Sequence, residues 1–329
     1  MNWEIETSLI GRSAIFQQTL GTLERFAACD ATTLIYGETG TGKELAARAI
    51  HYLSRRRDEA FIPVNCGAIP DTLLESELFG FVKGAFTDAR NPRRGLVRQA
   101  QGGTLFLDEI EALSARGQVM LLRFLQDRIV RPLGTDQAEQ VDVRVVAASN
   151  VDLETQARQG DFRRDLLFRL MVLAVRLPSL QERQEDIPLL CDFFLKRFAS
   201  EHETSRKKLH PATLDQLLAR RWSGNVRELE NTLLRAFLLS EGPTIAPEAL
   251  HDICFEQLAT VPESHEQSFR KAKASAIAAF EQQFVRRMLT AAGGNIAEAA
   301  RLCGKERSAL SRLVHKYSLH KPKDEPQTS

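Results

Sequence analysis

The residues best suited to chemistry lie in one short stretch, where a glycine-rich run ends in a lysine. Residues 37–43 read GETGTGK and fit the pattern G-x-x-x-x-G-K. The glycines allow backbone conformations in which successive N–H groups turn toward an anion, and Lys43 can then pair with the β- and γ-phosphates of a nucleotide. Glu44 stands where a Ser or Thr would normally hold Mg²⁺, so we expect a metal ligand elsewhere in the chain.

Two carboxylates follow a second apolar run. Leu105–Leu107 is typical of a buried strand, and Asp108 and Glu109 come directly after it. Ligands of open parallel sheets bind just outside the carboxyl ends of the strands. Asp108 is therefore placed to hold Mg²⁺, directly or through water, and Glu109 to polarise an attacking water. The alternative is that the pair only begins a helix, since Asp is a good N-cap.

The elements around these groups predict an α/β domain. Apolar runs that favour strands occur near 34–36, 61–64 and 141–150 as well as before Asp108, and helical sequence follows each. Strands alternating with helices indicate a parallel sheet with helices on both faces. An amphipathic helix within 9–30 precedes the first strand, residues 73–79 are helical in pattern, and residues 80–94 form a polar, glycine-containing insertion.

From Leu177 onward the pattern becomes helical and predicts a small all-helical lid, with helices near 189–198, 212–218 and 226–239. Arg227 falls in the first turn of the last of these helices. A cation there opposes the helix dipole, so we expect a nearby anion to compensate it. Arg163 and Arg169 lie near another helix, where two arginines by default form a solvated face.

The C-terminal part predicts a helix-turn-helix after a polar linker. Residues 296–302 and 306–317 are short helical segments around a glycine-bearing turn. The second helix would present its polar side chains to phosphates and base edges, although the pattern is permissive and an unrelated helical hairpin remains an alternative. The candidate DNA-binding residues are Arg307, Ser308, Ser311, Arg312 and Lys316.

Composition limits the class of protein. The chain has 329 residues and a net charge of +1, which makes no global case for nucleic acid or membrane. Its five cysteines form no C-x-x-C pair, which argues against a zinc site or a disulfide framework and for a reducing cytoplasm. No secretory signal and no uncharged apolar stretch of membrane-spanning length is present. We therefore expect a soluble cytoplasmic protein with no membrane partner.

Several blocks together resemble one family. From about Leu9 to Ile253 the chain is similar to the AAA+ domain of bacterial enhancer-binding proteins, the activators of sigma-54 RNA polymerase, and the remainder resembles the Fis-type DNA-binding domain that often follows it. The matching blocks are GETGTGKE, GGTLFLDEI, ESELFGFVKGAFTDA, FRRDLLFRL, LPSLQERQEDI and WSGNVRELEN. Glu44 belongs to the family's version of the phosphate loop.

The resemblance implies a fold and a division of the chain. The fold is α/β, an AAA+ P-loop ATPase core with a parallel sheet, a helical lid subdomain and a C-terminal all-α helix-turn-helix domain. We place the parts at 8–175 for the core, 176–254 for the lid, 255–272 for a linker, 273–318 for the helix-turn-helix and 319–329 for a disordered tail.

The resemblance also implies a role for each matching residue, with ATP and Mg²⁺ as ligands. Glu109 would be the catalytic base, Asn65 the residue that restrains it, Asp108 the metal ligand, and Arg163 and Arg169 the fingers that reach a neighbour's γ-phosphate in a ring, usually a hexamer. The ATP-binding residues would be Gly37, Glu38, Thr39, Gly40, Thr41, Gly42, Lys43, Glu44, Asn150 at sensor I and Arg227 at sensor II. The loop that contacts sigma-54 would be Gly84, Ala85, Phe86, Thr87, Asp88 and Ala89.

Three residues depart from the family pattern: Phe81, Asp88 and Ser223. Only Asp88 lies on the functional surface, where it replaces the second glycine of GAFTGA, adds a charge and removes backbone freedom. The implied function is an ATP-dependent activator that binds upstream DNA and remodels the sigma-54 closed complex. The alternatives are a DNA-bound AAA+ regulator that ignores sigma-54, or a remodeller of another protein. Because no sensory domain is seen before Leu9, we expect any control to come from a separate regulatory protein, from expression level or from another site.

Overall fold

The computed structural model describes residues 9–85, 91–251, 285, 289, 292, 295–303 and 307–316. The chain divides into two compact units, Met1–Ile253 and Cys254–Ser329, which are described separately. The first unit contains the phosphate loop, the carboxylate pair and the lid. The second contains the predicted helix-turn-helix.

The core of the first unit is a five-stranded sheet in which all strands are parallel. From one edge to the other, its strands are β2 Phe61–Asn65, β5 Thr104–Asp108, β8 Arg144–Ser149, β1 Thr33–Tyr36 and β9 Leu173–Arg176. In the register of the sheet, Asn65 lies opposite Asp108 and Tyr36 lies opposite Ser149. The strands therefore end at one common edge, and the polar residues that follow them meet there.

Helices cover both faces of this sheet. Successive strand residues alternate between two buried clusters: Leu105 and Leu107 pack in one, and Phe106 packs in the other. This alternation follows from the two-residue period of a strand and gives the sheet two apolar faces. The helices of the core are α1 Ala14–Ala27, α2 Lys43–Tyr52, α3 Asp71–Phe79, α4 Leu96–Gln99, α5 Ala115–Asp127, α6 Leu153–Gln159 and α7 Arg164–Leu170.

Two short ribbons project from the core. Strands β3 Gly80–Phe81 and β4 Arg93–Arg94 form the stem of one ribbon, and β6 Ile129–Val130 and β7 Glu139–Gln140 form the other. The ribbons meet where the Val82 N–H donates to the Leu133 carbonyl at 3.0 Å. The sequence indicated only a polar insertion at 80–94, because paired strands of two residues show no periodicity.

The lid consists of α8 Ile187–Glu201, α9 Pro211–Ala219, α10 Asn225–Leu239 and α11 Glu248–His251. They surround a separate apolar cluster that includes Phe194, Trp222 and Leu233. The lid also contains two short strands, β10 Lys208–Leu209 and β11 Thr244–Ile245, which pair with each other in parallel. The sequence pattern predicted helices alone here, and strands this short were missed because they carry too few residues to alternate.

In the second unit the described helices are α12 Ile296–Leu302 and α13 Arg307–Lys316. Asn295 caps α12 by accepting the Ala297 N–H at 3.0 Å. Apolar side chains from both helices share one cluster with Val285. The predicted linker at 255–272 and tail at 319–329 lie outside the described residues. No helix within the described ranges is long and apolar enough to cross a bilayer.

Candidate nucleotide site

The phosphate loop runs from β1 into α2 and is shaped by left-handed glycines. Gly40 has a φ of 77° and Gly42 a φ of 99°, and a Cβ on Gly40 would lie 2.2 Å from the Gly224 carbonyl oxygen. Side chains are disfavoured at such angles, which explains glycine at both positions. The N-terminus of α2 begins at Lys43 and presents its N–H groups and the positive end of its dipole to the loop.

Lys43 lies across the mouth of this loop. Its ammonium donates to the Gly37 carbonyl at 2.7 Å, to the Glu38 carbonyl at 3.0 Å and to Asn150 Oδ1. The side chain is buried, and burial lowers the pKa of Lys43, against the opposing effect of the Asp108 and Glu111 carboxylates. The lysine is thus already oriented over the loop, with protein oxygens around it where phosphate oxygens would compete.

Three carboxylates gather at the end of β5. Burial raises the pKa of Asp108, while the Glu109 N–H, which donates to Asp108 Oδ1 at 3.0 Å, and the Lys43 ammonium oppose that rise. Glu109 has a φ of 54°, and its Oε2 lies close enough to Gly67 that a Cβ there would be 2.6 Å away. Glu111 was missed by sequence reasoning, and its Oε1 accepts the Asn150 N–H at 3.0 Å.

This donor set fits Mg²⁺ bound mainly by phosphates. Among the described residues no cluster of three or more acidic, histidine or cysteine side chains could enclose a metal ion. Mg²⁺ usually takes one or two carboxylates and completes its shell with substrate phosphates and water. Asp108, partly buried beside the phosphate loop, suits that arrangement. Glu44 also lines the cavity, but its Oε1 pairs with Arg48 Nη2 at 2.7 Å along α2.

The two predicted asparagines lie at the same edge of the sheet. Asn150 accepts from Lys43 and so joins the end of β8 to the phosphate loop. Asn65 Oδ1 accepts the Ala68 N–H at 3.0 Å and begins a short 3-10 helix. Within the described ranges Asn65 does not hydrogen-bond to Glu109, although both side chains line the same cavity.

The cavity has a volume of about 360 Å³ and two chemically different ends. Its polar end holds the phosphate loop, Asp108 and Glu109. Its other end is lined by apolar side chains, and sequence reasoning missed it because they come from distant parts of the chain. The apolar residues that line the cavity are Leu9, Ile10, Phe16, Leu45, Leu190 and Val226.

A buried ion pair holds the apolar end together. Asp186, fully buried, accepts the Arg12 N–H at 2.6 Å, the Ser13 N–H at 2.8 Å and the Ser13 hydroxyl at 2.7 Å. The Arg183 guanidinium lies 4.0 Å from the Phe16 ring centroid and 3.9 Å from Asp186. Burial lowers the pKa of Arg183 to about 10, which leaves it charged at neutral pH.

The lid reaches the phosphate loop through the start of α10. The Val226 N–H donates to the Gly40 carbonyl at 3.0 Å, and the Arg227 N–H lies 3.4 Å from the same oxygen. Arg227 itself lines the cavity, where its charge lowers the pKa of Lys43. The sequence predicted an anion near Arg227, and the cavity is where a triphosphate would supply it.

The remaining predicted residues lie elsewhere. In the described part of the chain neither Arg163 nor Arg169 lines the cavity. Arg163 forms a two-bond pair with Asp165 at 2.7 and 3.0 Å, and Arg169 Nε donates to the Leu125 carbonyl at 3.3 Å. Both arginines belong to α7 or its N-cap.

The predicted sigma-54 loop is described only at its base. Gly84 has a φ of 83°, and Ala85 packs against Gly134 of the second ribbon. Phe86, Thr87, Asp88 and Ala89 lie outside the described residues. On α13, Arg307 and Lys316 are exposed and Ser311 is partly exposed, while the side chains of Ser308 and Arg312 lie outside the description.

Comparison with known families decides the relationship. The sigma-54 interaction domain matches residues 9–176, and the AAA+ ATPase lid domain matches residues 181–267. The chain belongs to the sigma-54-dependent AAA+ regulators. This family membership confirms the fold expected from the sequence, an AAA+ P-loop ATPase domain with a parallel sheet and a helical lid.

Individual regulators of this family are similar over most of the chain. The transcriptional regulatory protein ZraR of Salmonella typhi is 44% identical over 302 residues, which is 92% of this chain and 67% of ZraR. GlrR of Escherichia coli K12 is 39% identical over 312 residues, covering 95% of this chain and 68% of GlrR. The chain thus spans about two thirds of the length of these relatives.

A solved regulator structure matches the fold. NtrX from Brucella abortus, crystallised in complex with ADP, is 32% identical and superposes with a TM-score of 0.70 over 94% of this chain and 68% of NtrX. The structure of NtrX with ATP matches equally well. These nucleotide complexes of a related AAA+ regulator support nucleotide binding by the present chain.

Proposed function

We propose that this chain is an ATP-dependent transcription activator that forms a ring, binds upstream DNA and remodels the sigma-54 RNA polymerase closed complex. The observation that carries the proposal is the arrangement of Lys43, Asp108 and Glu109 around one cavity with an apolar end, in a chain of the sigma-54 regulator family. The cavity offers a place for the base, the phosphates and the attacking water together.

Each residue of the cavity contributes one part of ATP hydrolysis. Lys43 exchanges its protein oxygens for β- and γ-phosphate oxygens and neutralises their charge. Glu109 accepts the proton of the attacking water as it approaches the γ-phosphate, and Asn150 fixes Lys43 from the opposite side. Asp108 would hold Mg²⁺, which when bound supplies further charge neutralisation at the phosphates. The apolar end excludes water from the base.

The placement of the arginines supports a ring. The γ-phosphate gains charge in the transition state and needs nearby cations. Among the described residues, the cations that line the chain's own cavity are Lys43, Arg183 and Arg227, and Arg183 is paired with Asp186 at 3.9 Å. Arg163 and Arg169 lie outside that cavity, so we assign them to the cavity of a neighbouring subunit, in a ring that we propose to be a hexamer. Arg163, now paired with Asp165, would exchange this carboxylate for a neighbour's phosphate when the ring assembles.

The outputs of the ring are the Gly84–Ala89 loop and α13. The base of the loop contacts the second ribbon through Gly134, so a displacement of either ribbon is transmitted to the other. We assign Phe86 and Thr87 to contact with sigma-54. We assign the exposed Arg307 and Lys316 to DNA, where each phosphate contact would add to the salt dependence of binding.

The deciding experiment measures sigma-54-dependent transcription and ATPase rate on the same purified variants. Thr87→Ala should keep ATP hydrolysis and abolish open-complex formation, because the loop base lies away from the cavity lining. Lys43→Ala is the control that should lose both activities. Unchanged transcription with Thr87→Ala would refute the assignment of sigma-54 contact while leaving the ATPase intact.

One residue favours a second candidate function, a DNA-bound AAA+ regulator that does not contact sigma-54. Asp88 adds a carboxylate that would have to be desolvated at a protein contact. Thr87→Ala separates the two functions, and Asp88→Gly adds to the test because a gain in transcription would exclude the alternative. The activator should keep or gain transcription when glycine restores backbone freedom, whereas the alternative regulator should show no change.

A further inference from the structure

Asn225 joins three elements that are far apart in sequence. Its side-chain amide donates to Glu38 Oε2 and to the Thr39 carbonyl, both at 3.0 Å, and its Oδ1 accepts the Leu180 N–H at 2.7 Å. Glu38 and Thr39 belong to the phosphate loop, and Leu180 begins the 3-10 helix that leads into the lid. Asn225 itself is the first residue of α10 and is fully buried.

The backbone at Asn225 is held in an unfavourable conformation. Its φ is 52°, in the left-handed region that non-glycine residues seldom occupy. Glycine would satisfy the backbone without strain, yet it would supply none of the three hydrogen bonds. Asparagine is among the non-glycine residues that tolerate this conformation best, so it fits the backbone here and also supplies the three side-chain contacts.

The hydrogen bonds fix the position of Arg227, two residues along the chain. The Gly40 carbonyl accepts the Val226 N–H at 3.0 Å, so the first turn of α10 lies directly on the phosphate loop. Arg227 projects from this turn into the cavity. A shift of the loop on nucleotide binding would move Glu38 and Thr39, and through Asn225 it would move the lid.

We propose that Asn225 is a positioning residue that couples the phosphate loop to the lid and sets Arg227 against the nucleotide. This inference deepens the proposed ATPase function and rests on it. Asn225 does not contact the reacting atoms. It acts by holding the start of α10 against the phosphate loop. Loss of its side chain should therefore weaken ATP binding in a chain that still folds.

The test uses Asn225→Gly in the full chain, because glycine keeps the left-handed backbone and removes only the side chain. We expect the KM for ATP to rise about tenfold, the scale set by losing a hydrogen bond to a charged acceptor, with kcat reduced less. The matched control is Glu203→Gly, an exposed residue of the lid with a φ of 51°, which should leave both constants unchanged.

Two further variants distinguish positioning from a general loss of structure. Asn225→Gly combined with Arg227→Ala should be no worse than Arg227→Ala alone, because Asn225 acts through Arg227. Asn225→Asp should be impaired by repulsion from Glu38, and adding Glu38→Gln should restore part of the affinity, since the glutamine amide can donate to the new carboxylate.

The outcomes separate this inference from the proposed function. A parental chain without ATPase activity in its assembled state would overturn the proposed function. Normal parental activity with an unchanged KM in Asn225→Gly would overturn the positioning role alone. Fully additive losses in the double variant with Arg227→Ala, or no recovery on adding Glu38→Gln to Asn225→Asp, would also overturn it.

Discussion

Gly40→Ala adds only one methyl group, but it should disrupt the contact between the lid and the phosphate loop. At a φ of 77° the new Cβ would stand 2.2 Å from the Gly224 carbonyl oxygen and 3.1 Å from Arg227 Cβ. A backbone oxygen cannot rotate away as a flexible side chain can. The start of α10 must therefore move, and the Gly40 carbonyl loses the N–H groups of Val226 and Arg227.

The cost can be worked from these contacts. A Cβ in the left-handed region costs roughly 1–2 kcal/mol. The two backbone hydrogen bonds contribute about 1 kcal/mol each. The sum is about 3–4 kcal/mol, equivalent to a fall in Tm of roughly 10 °C for a domain of this size.

Gly160→Ala is the matched control. Gly160 follows α6 with a φ of 92° and has no atom within 4 Å of an added Cβ, so only the backbone cost applies. Its Tm should fall by about 4 °C. Calorimetry without nucleotide and titration with ADP would measure both variants. The reasoning is wrong if Gly40→Ala matches Gly160→Ala in Tm and binds ADP as tightly as the parental chain.

Four further predictions concern the chemistry, the ring, the modules and pH. Glu109→Gln should bind ATP in a filter assay but lose hydrolysis, and turnover near the parental rate would exclude Glu109 as the base. Mixing Arg163→Ala with Lys43→Ala subunits should restore some ATPase activity if the arginines act in trans, and confirmed mixed rings without recovery would contradict this. A chain ending near Glu256 should keep ATPase activity and lose site-specific DNA binding in a gel-shift assay; retained binding would refute the placement of the reader helix. Burial lowers the pKa of His51 from 6.5, so the unfolded chain takes up a proton first as pH falls. The stability contributed by neutral His51 is therefore complete above pH 6.5 and decreases below it. In His51→Gln the urea concentration at the unfolding midpoint should change less between pH 7 and pH 5 than it does in the parental chain. An equal change in both proteins would contradict the assignment.

The sequence predicted those parts of the site whose pattern is local. The phosphate loop, Asp108 and Glu109 each follow a buried strand, and the parallel sheet brings strand ends to one edge. The strands expected near 34–36, 61–64, 105–107 and 141–150 and the helices expected in the lid were right for the same reason, since they depend on periodicity within short windows. Strand β9 Leu173–Arg176, at one edge of the sheet, was not predicted. The roles assigned to the individual side chains stay predictions.

The parts that were missed depend on distant contacts. Asn225 and Glu38 are 187 residues apart, and no local pattern links them. No sequence pattern singles out Glu111, because its contact with the Asn150 N–H exists only once β5 and β8 are paired. The apolar end of the cavity likewise combines Leu9 with Leu190 and Val226.

The buried carboxylate of Asp186 has a mechanical consequence. It grips the backbone at Arg12 and Ser13, while Arg183 of the same 3-10 helix rests on Phe16. The root of the lid and the segment from Arg12 to Phe16 are therefore connected mechanically. A displacement of either one would be transmitted to the other and would change the shape of the cavity, which Phe16 and Arg183 both line.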